Sequence, residues 1–211
     1  MYDDKYGFLG AAEKAADIVI LSILWLLCCI PAVTAVPAGA ALYYTVVKYL
    51  RRGRGKLFQV FWGAFLQNMK QGIALSAAVC VYGIITLNWL AFAGQFEVTS
   101  AQGMIFTITS RVLLVFGLFS QVYLCPVLSR FRGSVKSILL GAVYMGYRYF
   151  FSSLCAAVLL AAALYAVYVL PVSAAAVPAV YMLLLSFPAE RNMKKYMKGL
   201  EAEDADQWYL E

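Results

Sequence analysis

The sequence predicts an all-α protein: a polytopic transmembrane helix bundle of about five spans, with one or two amphipathic helices at the cytoplasmic face. Three observations carry that prediction. Apolar residues fill 64% of the 211 positions and charged residues only 13%, with a mean hydropathy of +0.77. Soluble domains hold about 45–50% and about 25% respectively, so the excess needs lipid as its solvent. The apolar residues come in runs near the ~20 residues that cross a hydrocarbon core. The cations gather between those runs, as they do in cytoplasmic loops. A membrane domain over 1–198 and an acidic cytoplasmic tail over 199–211 account for the sequence.

The first span is placed at 18–36, kinked at Pro31, with Thr34 and Pro37 beyond the kink. The apolar character continues over 38–47, so a broken hairpin is the competing reading; its arms are short for crossing alone. The segment before it holds Asp3, Asp4, Glu13 and Asp17 against Lys5 and Lys14. A cleaved signal peptide needs a positive start, so this segment is expected to be retained.

Lys48, Arg51, Arg52, Arg54, Lys56 and Lys70 then follow with no acid among them. Within 56–71, Lys56, Gln59, Gly63, Gln67 and Lys70 share one helical stripe. Phe58, Phe61, Trp62, Phe65 and Met69 share the opposite one. That pattern predicts an interfacial amphipathic helix with its aromatics at headgroup level, or a docking face for a partner.

The remaining spans are placed at 73–93, with belt residues Trp89 and Phe92, and at 107–128, 149–170 and 174–187. A second interfacial helix is placed at 134–147, in a basic loop with Arg130, Arg132, Lys136 and Arg148. Pro178 leaves the last span short, and tilted or locally broken. From Pro188 the chain is read as a tail, basic through Arg191, Lys194, Lys195 and Lys198 and then acidic. The positive-inside rule puts the C-terminus in the cytoplasm and the N-terminus outside. A re-entrant first segment would move only the N-terminus inside.

A shift of 78 residues aligns Arg52 with Arg130, Arg54 with Arg132, Gly55 with Gly133, Gly63 with Gly141 and Lys70 with Arg148. This predicts a parallel internal repeat, each unit carrying one interfacial helix.

The sequence offers little chemistry. There is no histidine, no Cys-x-x-Cys spacing and no paired carboxylate within an apolar run. Triads, carboxylate dyads, zinc and haem sites lack their parts, so neither catalysis nor a cofactor is expected. No basic segment is long enough for a nucleic-acid face; the bilayer is the expected partner. Arg111 is the charge placed inside a span and Gln121 the deepest polar residue. Arg111 is expected to snorkel to headgroups and Gln121 to bond between helices.

The stretch Asp17-Ile18-Val19-Ile20-Leu21-Ser22-Ile23-Leu24-Trp25-Leu26-Leu27-Cys28-Cys29-Ile30-Pro31-Ala32-Val33-Thr34, followed by Ala41-Leu42-Tyr43-Tyr44, resembles the YesL-like family of bacterial membrane proteins. Phe65-Leu66-Gln67-Asn68-Met69-Lys70-Gln71 is similar to a further segment of that family, with Met69 where phenylalanine is usual. The resemblance implies a multi-pass protein of the bacterial cell membrane without known molecular activity. It also implies a role beside carbohydrate ABC transporter subunits. On that basis the expected function is accessory or regulatory in carbohydrate uptake, and the alternative is a permease-like subunit working with a cytoplasmic ATPase. The expected contact surface for membrane or partner is Lys56, Phe58, Phe61, Trp62, Phe65, Lys70, Arg132, Lys136 and Arg148. The oligomeric state is left open.

Overall fold

Proline placement sets the first break in the chain. The computed structural model describes residues 3–96, 100–131 and 133–197; Arg132 and the acidic tail fall outside them. Helix α1, Asp3–Cys29, stops two residues before Pro31. Pro31 has no amide hydrogen to give, and it disfavours the helical region for the residue before it. The Thr34 hydroxyl reaches back to the carbonyls of Cys28 at 2.5 Å and Pro31 at 2.7 Å, closing a 3-10 turn over Ala32–Thr34. Helix α2 then covers Ala35–Thr45 and widens into a π turn over Val46–Arg51. Pro37 falls in its first turn, where no intrahelical donor is required.

The single kinked span over 18–36 is therefore corrected: this stretch ends one helix and begins a second. The two run antiparallel. Thr34 meets Cys28 at one end, and the Tyr49 hydroxyl donates to Asp17 Oδ2 at 3.0 Å at the other. α2 forms the centre of the molecule. Ala38, Ala40, Ala41, Leu42, Tyr43, Val46 and Val47 are each at most 1% exposed.

Gly53 and Gly55, both at positive φ, turn the chain back after α2. Their missing side chains make the left-handed conformation accessible. The Gly53 and Arg54 amides donate to the Tyr49 and Lys48 carbonyls, closing the helix end. Helix α3, Leu57–Ala93, then runs 37 residues without interruption. At ~1.5 Å per residue it is roughly 55 Å long, well beyond the ~30 Å hydrocarbon core.

The separate interfacial helix placed at 56–71 is thus the first half of α3. Its aromatic face is also divided. Phe61 and Phe65 are buried, at 1% and 5% exposure, against the apolar surface of α2, which needs a cover. Phe58 and Trp62 stay exposed. Lys56, Gln59, Gly63, Gln67 and Lys70 form the exposed polar stripe the sequence implies.

Helix α4, Ala101–Arg130, starts on a Ser100 cap that accepts from the Gly103 amide and runs antiparallel to α3. The Tyr82 hydroxyl donates to the Leu113 carbonyl, and the Trp89 and Phe92 rings pack edge-on against Phe106. Helix α5, Val135–Arg148, buries Ile138, Ala142, Met145 and Gly146 at helical spacing and exposes Lys136 and Arg148, so the second amphipathic helix stands as a separate element. Tyr149 leaves the helical region, and α6 follows over Phe150–Val169. A 3-10 turn, Pro171–Ala175, leads into α7, Val177–Met197.

Pro178 does not break this last helix, because it sits in the first turn. The helix that holds the span placed at 174–187 runs on beyond it. α7 continues through Pro188, and Ala189, Glu190, Asn192 and Met193 are buried. A surface tail was expected there; the continuing apolar stripe Met182, Leu185, Ala189, Met193 holds the segment in the bundle instead.

Among the described residues, α3, α4 and α6 are long and apolar enough to cross a membrane. The spans expected at 18–36 and 174–187 fall in α1–α2 and α7, where the apolar runs are shorter: Glu13, Lys14 and Asp17 precede one, and Glu190, Arg191 and Lys194 follow the other.

The 78-residue shift relates elements of similar kind. It carries Leu57–Ala93 onto 135–171, which holds α5 and α6 up to Val169. The Gly53 amide donates to Tyr49 and the Phe131 amide to Val127, the same pair one shift apart. The first turns match as well: Val60 donates to Lys56, and Ile138 to Ser134.

Candidate functional site at the basic end of the bundle

The polar interior is concentrated at one end, where α2, α4 and α7 meet. The Tyr43 hydroxyl donates to Glu190 Oε1 at 2.8 Å, and Arg130 Nη2 donates to the same oxygen at 2.6 Å. The Arg130 and Glu190 side chains are 1% and 7% exposed. Removing two charges from water is costly, and only close pairing with further hydrogen bonds offsets it. The Arg130 pair and the Tyr43 bond tie α2, α4 and α7 to a single carboxylate oxygen.

A second chain of bonds runs beside the first. Asn192 Nδ2 donates to the Tyr123 hydroxyl at 2.8 Å, and that hydroxyl donates to Ser152 Oγ at 2.9 Å. Arg51 Nη1 donates to the carbonyl and hydroxyl oxygens of Ser186, at 3.1 and 3.2 Å. Its guanidinium lies 4.3 Å from the centre of the Phe187 ring. Lys48 Nζ donates to the Tyr44 hydroxyl at 3.1 Å. At Tyr49 the hydrogen bond to Asp17 comes first, and burial second, in raising the hydroxyl's pKa.

Three concave regions walled by α4 adjoin this framework, and a fourth, of about 500 Å³, opens beside it with Ser152, Arg191, Asn192 and Lys195 on its walls. A cleft of about 350 Å³ opens between α2, the middle of α3 and the end of α4, with Tyr44, Gln67, Lys70, Gln71, Ser129 and Arg130 on its walls. A cavity of about 460 Å³ lies between α1, α2, α4, α6 and α7. Trp25, Gln121, Cys125, Leu164, Pro178 and Tyr181 line it, and its wall is almost wholly apolar. A third, of about 360 Å³, lies between α3, α4 and α5 and shares Gln121.

The residues singled out from sequence scatter over this map. Lys70 lines the polar cleft, Lys56 is exposed just before α3, and Phe58 and Trp62 are exposed on it. Phe61 and Phe65 are core residues instead of contact surface, for the reason given above. Lys136 and Arg148 are exposed on α5, and Arg132 lies outside the described residues. Arg111 is exposed on α4 and lines none of these three cavities. Gln121 faces two of them.

Sequence reasoning missed Glu190, Tyr43, Tyr123 and Asn192. One signal was available: Glu190 is an acid in a cationic stretch, one residue from the buried stripe through Met182, Leu185, Ala189 and Met193. An acid beside a buried stripe needs a buried cation.

Residues 18–89 match the model of a family described as "Protein of unknown function, DUF624". The match takes in the apolar part of α1, all of α2 and most of α3, the stretch that also carries the YesL-like motif residues. No curated protein and no solved structure compared with the chain matches it.

Proposed function

We propose that this chain is a non-enzymatic, multi-pass protein of the bacterial cell membrane that assists or regulates carbohydrate uptake. Its exposed basic end is the surface it offers to transporter subunits. The carbohydrate link rests on the YesL-like resemblance, with which the family match over 18–89 is consistent. The observation that supports an accessory role is how the interior polar groups are used. Tyr43, Glu190, Arg130, Tyr123 and Asn192 are bonded to one another across helices, which locks the bundle. A polar solute would find few partners in the cavity at Gln121, because its other walls are apolar.

The rival reading, a permease-like subunit, draws on the same cavity. It is lined by Gln121 and Pro178, and a helix break lies nearby at Pro31–Thr34. Co-purification from native membranes separates the two from a role unrelated to uptake. Carbohydrate transporter subunits should be recovered with the chain, and their consistent absence would count against both. Sugar flux in liposomes holding the chain and a cytoplasmic ATPase subunit would favour the rival.

The sidedness follows from the same end of the molecule. With the basic turn at 51–56 in the cytoplasm, the Tyr49–Asp17 bond brings the neighbouring part of α1 to the cytoplasmic face. The α1–α2 hairpin then leaves and returns on one side of the membrane.

A further inference from the structure

We propose that the polar cleft between α2, α3 and the end of α4 is a binding site for a phosphate ester carrying free hydroxyls. The inference is independent of the carbohydrate-uptake reading. Of the three concave regions walled by α4, this cleft alone presents cations and carboxamides together; a fourth, between α6 and α7 at Arg191 and Lys195, has one carboxamide, Asn192, already turned onto Tyr123. Lys70 and Arg130 line it, and Lys48 stands at its rim on the Tyr44 hydroxyl. Among the described residues no carboxylate lines it. The near acid, Glu190, already accepts from Arg130 and Tyr43. The local charge is therefore positive, which suits an anion.

The carboxamides argue for more than a bare anion. Gln71 Nε2 is held on the Gly133 carbonyl at 2.7 Å, and Asn68 Nδ2 on the Ala64 carbonyl at 2.8 Å. One hydrogen of each amide is held on that carbonyl, which fixes the group and leaves its oxygen as an acceptor for a hydroxyl. Among the described residues Gln67 and Lys70 have no hydrogen-bond or ion-pair partner, so both can turn toward a ligand. Cations beside fixed acceptors are what a phosphorylated polyol needs. A volume of about 350 Å³ holds a glycerol phosphate headgroup. The cleft also sits at the end of the molecule that carries the basic turn, where anionic headgroups gather.

The same chemistry could come from a lipid or from a soluble ester. The test uses the full chain in detergent micelles, with binding read by native mass spectrometry and by thermal shift. The probes are short-chain phosphatidylglycerol, short-chain phosphatidylcholine and glycerol 3-phosphate. Lys70→Gln is the cleft variant and Lys14→Gln, an exposed cation on α1, is the control. Both positions are exposed, so neither variant threatens the fold.

The expected result is binding of phosphatidylglycerol or glycerol 3-phosphate in preference to phosphatidylcholine. Lys70→Gln should weaken it about tenfold, with Lys14→Gln near wild type. Phosphatidylglycerol alone binding assigns the lipid as the source, and glycerol 3-phosphate binding assigns the free ester. Equal losses in the two variants would reduce the effect to general surface charge and overturn the site. Absence of binding by both anionic probes would overturn it as well.

Discussion

The units related by the 78-residue shift are built alike and finished differently. In the first, α2 descends to a basic turn and α3 returns as one unbroken helix. In the second, the end of α4 descends to a basic turn, and the return is split at Tyr149 into α5 and α6. The positions that differ explain the split. Leu75 of the first unit is fully buried and continues the helix. Its counterpart is Ser153, whose hydroxyl donates to the Gly146 carbonyl at 2.6 Å, across the break. Where the first unit has Asn68 the second has Gly146, and there the α5 backbone comes close to the α4 backbone at Phe119. Close approach at Gly146, with a hydroxyl to bridge the opened turn, sends α6 away from α4 and toward α7.

The arginines at the two turns provide the largest contrast. Arg52 is half-buried in the turn after α2, and Arg130 is buried against Glu190. Arg130→Gln should lower stability by about 3–5 kcal/mol, because it strands a buried carboxylate. Arg52→Gln should cost within about 1 kcal/mol. Unfolding of the purified protein in detergent measures both, and equal effects would erase the distinction between the turns. Next in size is Gly146→Ala. A methyl there would lie 2.5 Å from the Phe119 carbonyl oxygen, so the helices must part at about 1–3 kcal/mol. At its counterpart, Asn68→Ala should cost about 0.5–1 kcal/mol, the worth of the bond to the Ala64 carbonyl.

How far the sequence carries the fold depends on which residues are asked. Apolar runs locate α3, α4 and α6, and the basic segments locate the turns, because both patterns are local. The split of α5 from α6 and the unbroken course of α3 could not be told apart in this way. Both stretches are amphipathic first and apolar afterwards, and what separates them is contact with the preceding helix. Phe61 and Phe65 show the same limit. An aromatic face reads alike whether it meets lipid or α2. Pro178 and Pro37 misled in the opposite direction, since a proline in a first helical turn costs no hydrogen bond. Glu190 was hidden because its partner Arg130 lies 60 residues away on another helix.

Smaller effects sharpen the comparison. Ser153→Ala should cost about 1 kcal/mol and loosen the junction at Tyr149, read as faster amide exchange over 147–153. The paired glycines Gly63 and Gly141 should behave alike. An added methyl meets nothing within 4 Å at Gly63 and only an ordinary contact at 3.7 Å at Gly141. Alanine at either should leave stability unchanged or raise it by about 0.5–1 kcal/mol. A marked loss at one of the two alone would mean that the units are not matched there.

The central claim is that both basic turns, and the α1 segment bonded to the first of them, share one face of the membrane. Single cysteines in a cysteine-free background, replacing Glu13, Arg54, Lys136 and Gln102, test it directly with a membrane-impermeant thiol reagent in right-side-out and inverted vesicles. Glu13→Cys, Arg54→Cys and Lys136→Cys should label from the cytoplasmic side, and Gln102→Cys, at the start of α4, from the other. Labelling of Glu13→Cys together with Gln102→Cys would break the α1–α2 hairpin, and opposite labelling of Arg54→Cys and Lys136→Cys would break the matched units.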